Sequence, residues 1–325
     1  MKRITLGALT GLLAAATILP IFASAPVYAG SGKGMEISPL IVDQVRSPGD
    51  TFSSEITLRN LTDTAVVASA AIHNFTSEDD TGTPKIDVKD EQADSSFSMR
   101  SWVSAIPDVH MKKGEAVKIP VTFTIPANAE AGGHYGAILF TLAAETDTNG
   151  QTSQVALGAS IGTLYLIRVT GSVVEKMTLD GFYTLNPKGD RSPMLDSGPI
   201  SFVVRLKNDG TVHEKPEGNI AVTDMFGRKV GTVVVNDKGG SILPKSTRRY
   251  NQQLATKNLF GYYHAKLTLV YADGQKIQNN ISFFVIPWQL IILVVLGLLI
   301  VLFLLRGWLR SYRASIIKQV RTNRK

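Results

Sequence analysis

The sequence predicts an all-β chain, two antiparallel β-sandwich domains in tandem, followed by one C-terminal transmembrane helix. Three observations predict it. Apolar and polar residues alternate through most of the middle of the chain, as they do in strands with one face in a core and the other in water. A pair of short motifs occurs once in each half of that middle region. Near the C-terminus an apolar stretch of membrane length is followed by basic residues with no acid among them.

Residues 1–29 read as a signal peptide. Lys2-Arg3 precede an apolar run from Ile4 to Phe22, and Ala23-Ser24-Ala25 and Val27-Tyr28-Ala29 offer the small residues that signal peptidase accepts, so cleavage is expected after Ala25 or Ala29. The competing reading is an uncleaved anchor helix, against which Pro20 and the small-residue sites both count.

Residues 30–171 form the first expected domain. Phe52, Ser54, Ile56 and Leu58 alternate with Ser53, Glu55, Thr57 and Arg59, and Val117, Ile119, Val121, Phe123 and Ile125 alternate with Lys118, Pro120, Thr122 and Thr124. Residues 172–284 form the second, where Ile200, Phe202, Val204 and Leu206, and again Ala265, Leu267, Leu269 and Tyr271, share the period. The boundary is placed near Gly171, between a strand over Val155–Val169 and another over Val173–Leu185. A last strand, Ile277–Phe284, runs almost directly into Pro287-Trp288, which seats the second domain on the bilayer surface.

The repeat fixes the domain count. Ile56-Thr-Leu-Arg-Asn60 resembles Val204-Arg-Leu-Lys-Asn208, and Gly133-His-Tyr135-Gly-Ala137-Ile-Leu139 resembles Gly261-Tyr-Tyr263-His-Ala265-Lys-Leu267. In Ig-like sandwiches a tyrosine near the start of a late strand hydrogen-bonds back across a corner, so Tyr135 and Tyr263 are expected as corner tyrosines of two Ig-like domains. A ligand contact is the lesser alternative for either. The Asn-to-Tyr interval is 75 residues in the first half and 55 in the second. The excess falls on the acidic stretch Thr76–Gly82 and Lys89–Asp94, expected as an exposed loop or extra hairpin, either a recognition element or a solvated connector.

Val285–Leu305 is apolar apart from a few positions such as Gln289 and Gly297 and would span about 30 Å as a helix. Trp288 and Trp308 would sit at its two membrane–water interfaces. The tail 306–325 carries Arg306, Arg310, Arg313, Lys318, Arg321, Arg324 and Lys325, which places it in the cytoplasm and the domains outside. Leu309, Tyr312, Ile316 and Val320 mark one stripe of it, so it either lies along the inner leaflet on anionic membrane lipid or is a solvated stop-transfer tail. A sortase signal is set aside, because Leu243-Pro244-Lys245-Ser246-Thr247 has the wrong last two residues and lies too far upstream.

The chemistry expected of the chain is thin. Among its 325 residues there is no cysteine, which removes disulfide frameworks, thiolate metal sites and cysteine nucleophiles. The net charge of +7 suggests nucleic acid, yet setting the nine cations of the two ends aside from the 34 leaves 25 bases against 27 acids. No basic nucleic-acid face is expected. His73, His110, His134, His213 and His264 show no metal-ligand spacing, and no nucleophile elbow is present. His134 and His264 are read as turn or sheet-surface residues, and the acidic stretch lacks a calcium-loop pattern. Asn60-Leu-Thr62, Asn74-Phe-Thr76 and Asn280-Ile-Ser282 fit a glycosylation triplet, meaningful only in a host with that machinery. Ala131-Gly132-Gly133 reads as turn or bulge glycine. The expectation is a non-enzyme with no catalytic residues, cofactor or metal.

Assembled, the chain resembles the WxL-interacting proteins of Gram-positive-type bacterial cell surfaces. The matching residues are Ile37-Ser-Pro39, Pro48-Gly49, Ile56-Thr-Leu-Arg-Asn60-Leu-Thr-Asp63, Val121-Thr-Phe-Thr-Ile125-Pro126 and Gly132-Gly-His-Tyr135-Gly-Ala-Ile138. They cover about residues 35–170, and Asp43-Gln44-Val45-Arg46-Ser47 stands where the family has a glycine-tyrosine-phenylalanine stretch. The resemblance implies a peptidoglycan-binding first domain and a partner-binding second domain. Three readings follow: a single-pass plasma-membrane protein binding or scaffolding cell-wall peptidoglycan or surface proteins; an Ig-like assembly chaperone or subunit acting by strand-edge pairing; or, third, a membrane-bound hydrolase, which needs converging polar groups.

Overall fold

The computed structural model of the chain describes residues 34–89, 96–144 and 160–322. The expected signal peptide, residues 90–94 of the acidic stretch and the start of the strand expected from Val155 lie outside the described residues.

Ten strands build the first sandwich: β1 (Met35–Ser38), β2 (Ile41–Arg46), β3 (Thr51–Asn60), β4 (Val66–His73), β5 (Phe75–Ser77), β6 (Pro84–Ile86), β7 (Val109–Met111), β8 (Ala116–Thr124), β9 (Gly132–Ala144) and β10 (Ser160–Val169). Eight build the second: β11 (Met177–Leu185), β12 (Met194–Leu195), β13 (Ile200–Asn208), β14 (Glu217–Asp224), β15 (Lys229–Val235), β16 (Thr247–Leu254), β17 (Gly261–Tyr271) and β18 (Gln275–Val285). The sheets are β1-β3-β8 against β2-β10-β9-β4-β7, then β11-β13-β16 against β12-β18-β17-β14-β15. The two orders are the same strand for strand. β5 and β6 form a separate two-stranded hairpin on the first sandwich.

The strands form where the period of two places them. In β8, Ile119, Val121 and Phe123 are buried and Lys118 and Pro120 are exposed; in β17 Ala265, Leu267 and Leu269 are buried and His264 and Lys266 exposed. Each sandwich closes on its own core, the first around Phe123, Phe140 and Tyr165, the second around Phe202 and Phe283. Phe123 stacks on Phe52 at 4.8 Å and meets Tyr165 at 4.7 Å. Asn60 and Asn208 occupy equivalent ends of β3 and β13, opposite Met35 and Met177. Each is fully buried, and its side-chain amide satisfies carbonyls of the following turn and of the crossing connection, those of Thr64, Met111 and Lys112 in one case and Val212 and Ile242 in the other. A buried asparagine kept in this way replaces hydrogen bonds that the turn backbone cannot make itself.

The sandwiches are not wholly antiparallel. The chain crosses from the first sheet to the second between β1 and β2, and again between β11 and β12, so that β2 pairs with β10, and β12 with β18, in parallel. The strand expected from Val173 begins at Met177, after a connection that contacts the first sandwich. The helix expected from Val285 begins at Trp288: Val285 is still a fully buried strand residue opposite Gly261, and Pro287 ends the ladder. Helix α1 then runs unbroken from Trp288 to Thr322, through the basic tail and past Arg306, Arg310, Arg313, Lys318 and Arg321. Its stretch Ile291–Arg310 is long and apolar enough to cross a membrane, and none of that stretch is buried.

Candidate binding cleft between the two sandwiches

The second sandwich meets the first on the outer face of β2, β9 and β10, through a turn after Asn208. His213 from that turn is buried. One of its ring nitrogens lies 3.3 Å from the Tyr135 hydroxyl on β9, and the other 3.1 Å from the Asp43 carboxylate on β2. Lys215 reaches the second Asp43 oxygen at 2.5 Å. The burial of Asp43 opposes its ionisation, but the hydrogen bonds and charges of His213 and Lys215 outweigh that and hold its carboxyl down to about 2. Nearby the Gly133 N–H donates to Thr211 C=O at 2.9 Å, and Arg168 pairs with Glu175. Glu214 is buried beside this cluster. Its Oε2 accepts from the Ala272 N–H at 3.2 Å while Oε1 has no partner among the described residues. Burial and the Glu175 charge push its carboxyl up to about 7.

A hydroxyl, an imidazole and a carboxylate in a row are the groups a hydrolase aligns. Here the hydroxyl is a phenol with 4% of its surface exposed, and burial raises its ionisation well above the ordinary tyrosine range. A nucleophile needs the opposite shift and an open approach. The row instead joins β9, the second sandwich and β2 by two hydrogen bonds, as a fastener between sandwiches. Among the described residues no group of three or more metal-ligating side chains comes together.

Beside the fastener lies a cleft of about 490 Å³, lined on one side by Ile41, Leu164 and Leu166 and closed on the other by the β5–β6 hairpin and the connection from Lys238 to Ser246, with Lys215 and Arg248 reaching into it. The hairpin is held against the second sandwich by Asp80, whose carboxylate lies 3.6 Å from both Arg205 and Arg249 and whose carbonyl accepts from the Arg249 N–H. The described part of the acidic insertion is therefore the expected extra hairpin, and through Asp80 it clasps the two sandwiches together.

Strand β2 forms the border of this cleft and the edge of its sheet. Parallel pairing turns alternate residues toward the neighbour: the Leu164 N–H donates to Leu40 and the Thr170 N–H to Arg46. The even-numbered residues thus face β10, and the N–H and C=O groups of Ile41, Asp43 and Val45 point away from the sheet. Leu40, Ile41 and Val45 are 62%, 58% and 58% exposed, so an edge with no partner strand among the described residues coincides with an apolar surface.

The repeat motif mislocates one tyrosine. Gly132 pairs with Val169 and Gly261 with Val285, both at the end of the last strand of their sandwich, so Gly132 is the counterpart of Gly261 and His134 that of Tyr263. The Gly-x-Tyr-x-Ala match is out of register by one residue, which turns side chains to the opposite face. Tyr263 lies in its core and its hydroxyl both accepts from the Phe260 N–H and donates to the Phe260 C=O, each at 3.0 Å. His134 takes the corresponding place, buried against Trp102 and 2.9 Å from the Glu130 carbonyl, not on a turn or sheet surface. Tyr135, expected at that corner, faces the other sandwich. His264 is exposed and bonds Ser282. The signal for the contact was in Gly132-Gly133: a Cβ on Gly133 would lie 1.8 Å from the Tyr135 hydroxyl. Trp288 and Trp308 are exposed along α1, as is Arg310.

No family model matches the chain, and no curated protein matches it. Among solved structures, the class 5 fimbriae chaperone CfaA is 12% identical with a TM-score of 0.37, covering 78% of this chain and 100% of its own. The E. coli chaperone DraB is 12% identical with a TM-score of 0.34, covering 77% and 96%. A PapD-like domain of human CEP192 is 12% identical with a TM-score of 0.26, covering 53% and 99%. Similarity at this level says nothing of what the chain binds.

Proposed function

We propose that this chain is a non-enzymatic, membrane-anchored protein that takes up an extended segment of a partner protein as an added strand along β2, in the manner of an assembly chaperone or subunit. The single observation carrying this is the coincidence at β2 of outward-pointing backbone groups at Ile41, Asp43 and Val45 with the apolar side chains of Ile41 and Val45. Added strands gain affinity from main-chain hydrogen bonds and specificity from pockets for alternate side chains; the cleft, with Leu164 and Leu166 in its wall and Lys215 and Arg248 beside them, supplies such pockets. Edge strands of this kind are usually blocked by charge, proline or a covering loop; the charges of β2 are Asp43, engaged by His213 and Lys215, and Arg46, which donates to Gln44 and lies over the Phe52 ring.

Strand capture is preferred over wall-glycan binding because sugar recognition uses exposed aromatic faces, and the most exposed ones among the described residues, Phe303, Phe226, Phe260 and Trp308, belong to the second sandwich and helix α1. The signal-peptide pattern of residues 1–29 and the basic residues after the apolar span of α1 support a topology with the sandwiches outside the plasma membrane, and the resemblance to WxL-interacting proteins supports a surface protein as the partner class. The test is selection of binding peptides from a random library on the full chain in nanodiscs, followed by Val45→Pro. Proline there removes an outward N–H and leaves the bonds to β10 in place. Selected peptides should lose at least tenfold in affinity; equal binding to the variant would remove β2 as the site.

A further inference from the structure

The end of the second sandwich from which α1 departs carries an apolar rim that the binding reading does not use. Strand pairing defines this end: Gly261 lies opposite Val285, and Asp224 opposite Tyr263. The loop Lys257–Phe260 and the turn Met225–Arg228 therefore both lie where β18 hands over to the helix. Their tips are Phe260, 69% exposed, and Phe226, 74% exposed, with Met225 also exposed.

Both tips are built and held. Asp224 accepts from the Phe226 and Arg228 N–H groups at 2.9 Å each, and the Arg228 guanidinium lies 5.2 Å above the Phe226 ring. The Phe260 backbone is fixed from both sides by the Tyr263 hydroxyl, and Asn258 takes a left-handed φ of 58° that turns the loop. A groove of about 650 Å³ separates the loop from the helix, lined by Gly198, Lys257, Phe260, Ile291, Val294 and Val295 among others. Ile291 begins the apolar span, and Val295 is about 6 Å further along the helix axis. The loop thus stands beside helix residues that are already at acyl-chain depth.

We infer that the second sandwich is seated in the outer membrane–water interface, with Phe226 and Phe260 inserted, and that the groove between loop 257–260 and α1 holds an acyl chain of a phospholipid. One wall of the groove is the spanning helix itself, so an apolar lining there meets lipid and not water. Lys257 and Arg228 stand beside the inserted rings as cations for the phosphate layer, the arrangement that amphipathic interfacial anchors use. The effect is to fix the tilt of the sandwich on its helix, with β2 held away from the bilayer.

The inference rests on α1 crossing the membrane, and the test separates the two. Because the chain has no cysteine, Phe226→Cys, Phe260→Cys, Val234→Cys and Leu299→Cys can each carry a single nitroxide on the full chain in phosphatidylglycerol–phosphatidylcholine nanodiscs. Oxygen should relax the labels at 226, 260 and 299 more than a water-soluble nickel complex does, with the order reversed at 234, an exposed position on β15. Labels at 226 and 260 that behave like 234 while 299 stays in lipid would overturn the inference and leave the anchor intact; an aqueous 299 would overturn the anchor. In unmodified protein, a phospholipid with a diazirine in its acyl chain should form adducts on residues 257–260 as well as 291–295, and adducts confined to the helix would rule out the occupied groove.

Discussion

The fastener between the sandwiches can be weighed by removing one charge, with Asp43→Asn. The Asp43 carboxyl is lowered from 3.8 to about 2, which at about 1.4 kcal/mol per pKa unit sets a ceiling of about 2.5 kcal/mol. Lys215 is 41% exposed and Asp43 28%, so solvent screening brings the expected value down to roughly 1 kcal/mol. The folded pKa lies below the unfolded one. The stabilisation is therefore complete above the unfolded value, shrinks as pH falls through 3.8, and is mostly gone by pH 2. Urea unfolding of the full chain in detergent, followed by circular dichroism at pH 7 and pH 2, should show the variant less stable than wild type by about 1 kcal/mol at the first and nearly equal at the second. Equal stability at pH 7, or an undiminished gap at pH 2, would refute the assignment of that charge to the contact.

Replacing Asn208 by alanine strands the carbonyls of Val212 and Ile242 and the Gly210 N–H in a buried turn, and should cost about 3 kcal/mol in the same unfolding experiment. Glu214 has the opposite sign to Asp43. Its carboxyl is raised from 4.5 to about 7, so the folded chain keeps a proton that the unfolded chain has lost, and stability falls as pH rises from 4.5 to 7. Melting temperatures of Glu214→Gln should not follow that decline; a wild-type profile retained in the variant would assign the slope to another group.

The architecture was legible because strand period, asparagine turns and an apolar helix are local signals. The parallel placement of β2 and β12 was not, since a short strand does not state which sheet it joins. The repeat showed both its strength and its error at one place. Asn60 and Asn208 are equivalent because a buried side chain does the same work in each turn, whereas the Tyr135 match followed residue type and missed a one-residue slip that only pairing reveals. The acidic stretch read as an exposed loop or extra hairpin, and the β5–β6 hairpin is there; its attachment to the second sandwich was not legible, because Asp80 meets Arg205 and Arg249 more than a hundred positions away, and such contacts leave no mark on neighbouring sequence. The candidate site lay hidden for a related reason: nothing in the sequence around Ile41 and Val45 states that the short strand they belong to is the edge of a sheet, which only the strand order shows.

The most direct trial of the strand-capture reading is amide hydrogen exchange of the full chain with and without a library-selected peptide, resolved to single residues across Leu40–Arg46. Strand addition predicts fast exchange at Ile41, Asp43 and Val45 in the free protein and strong protection when peptide is bound, with Val42, Gln44 and Arg46 slow throughout because they already bond β10. Protection arising elsewhere while those three amides continue to exchange freely would contradict it.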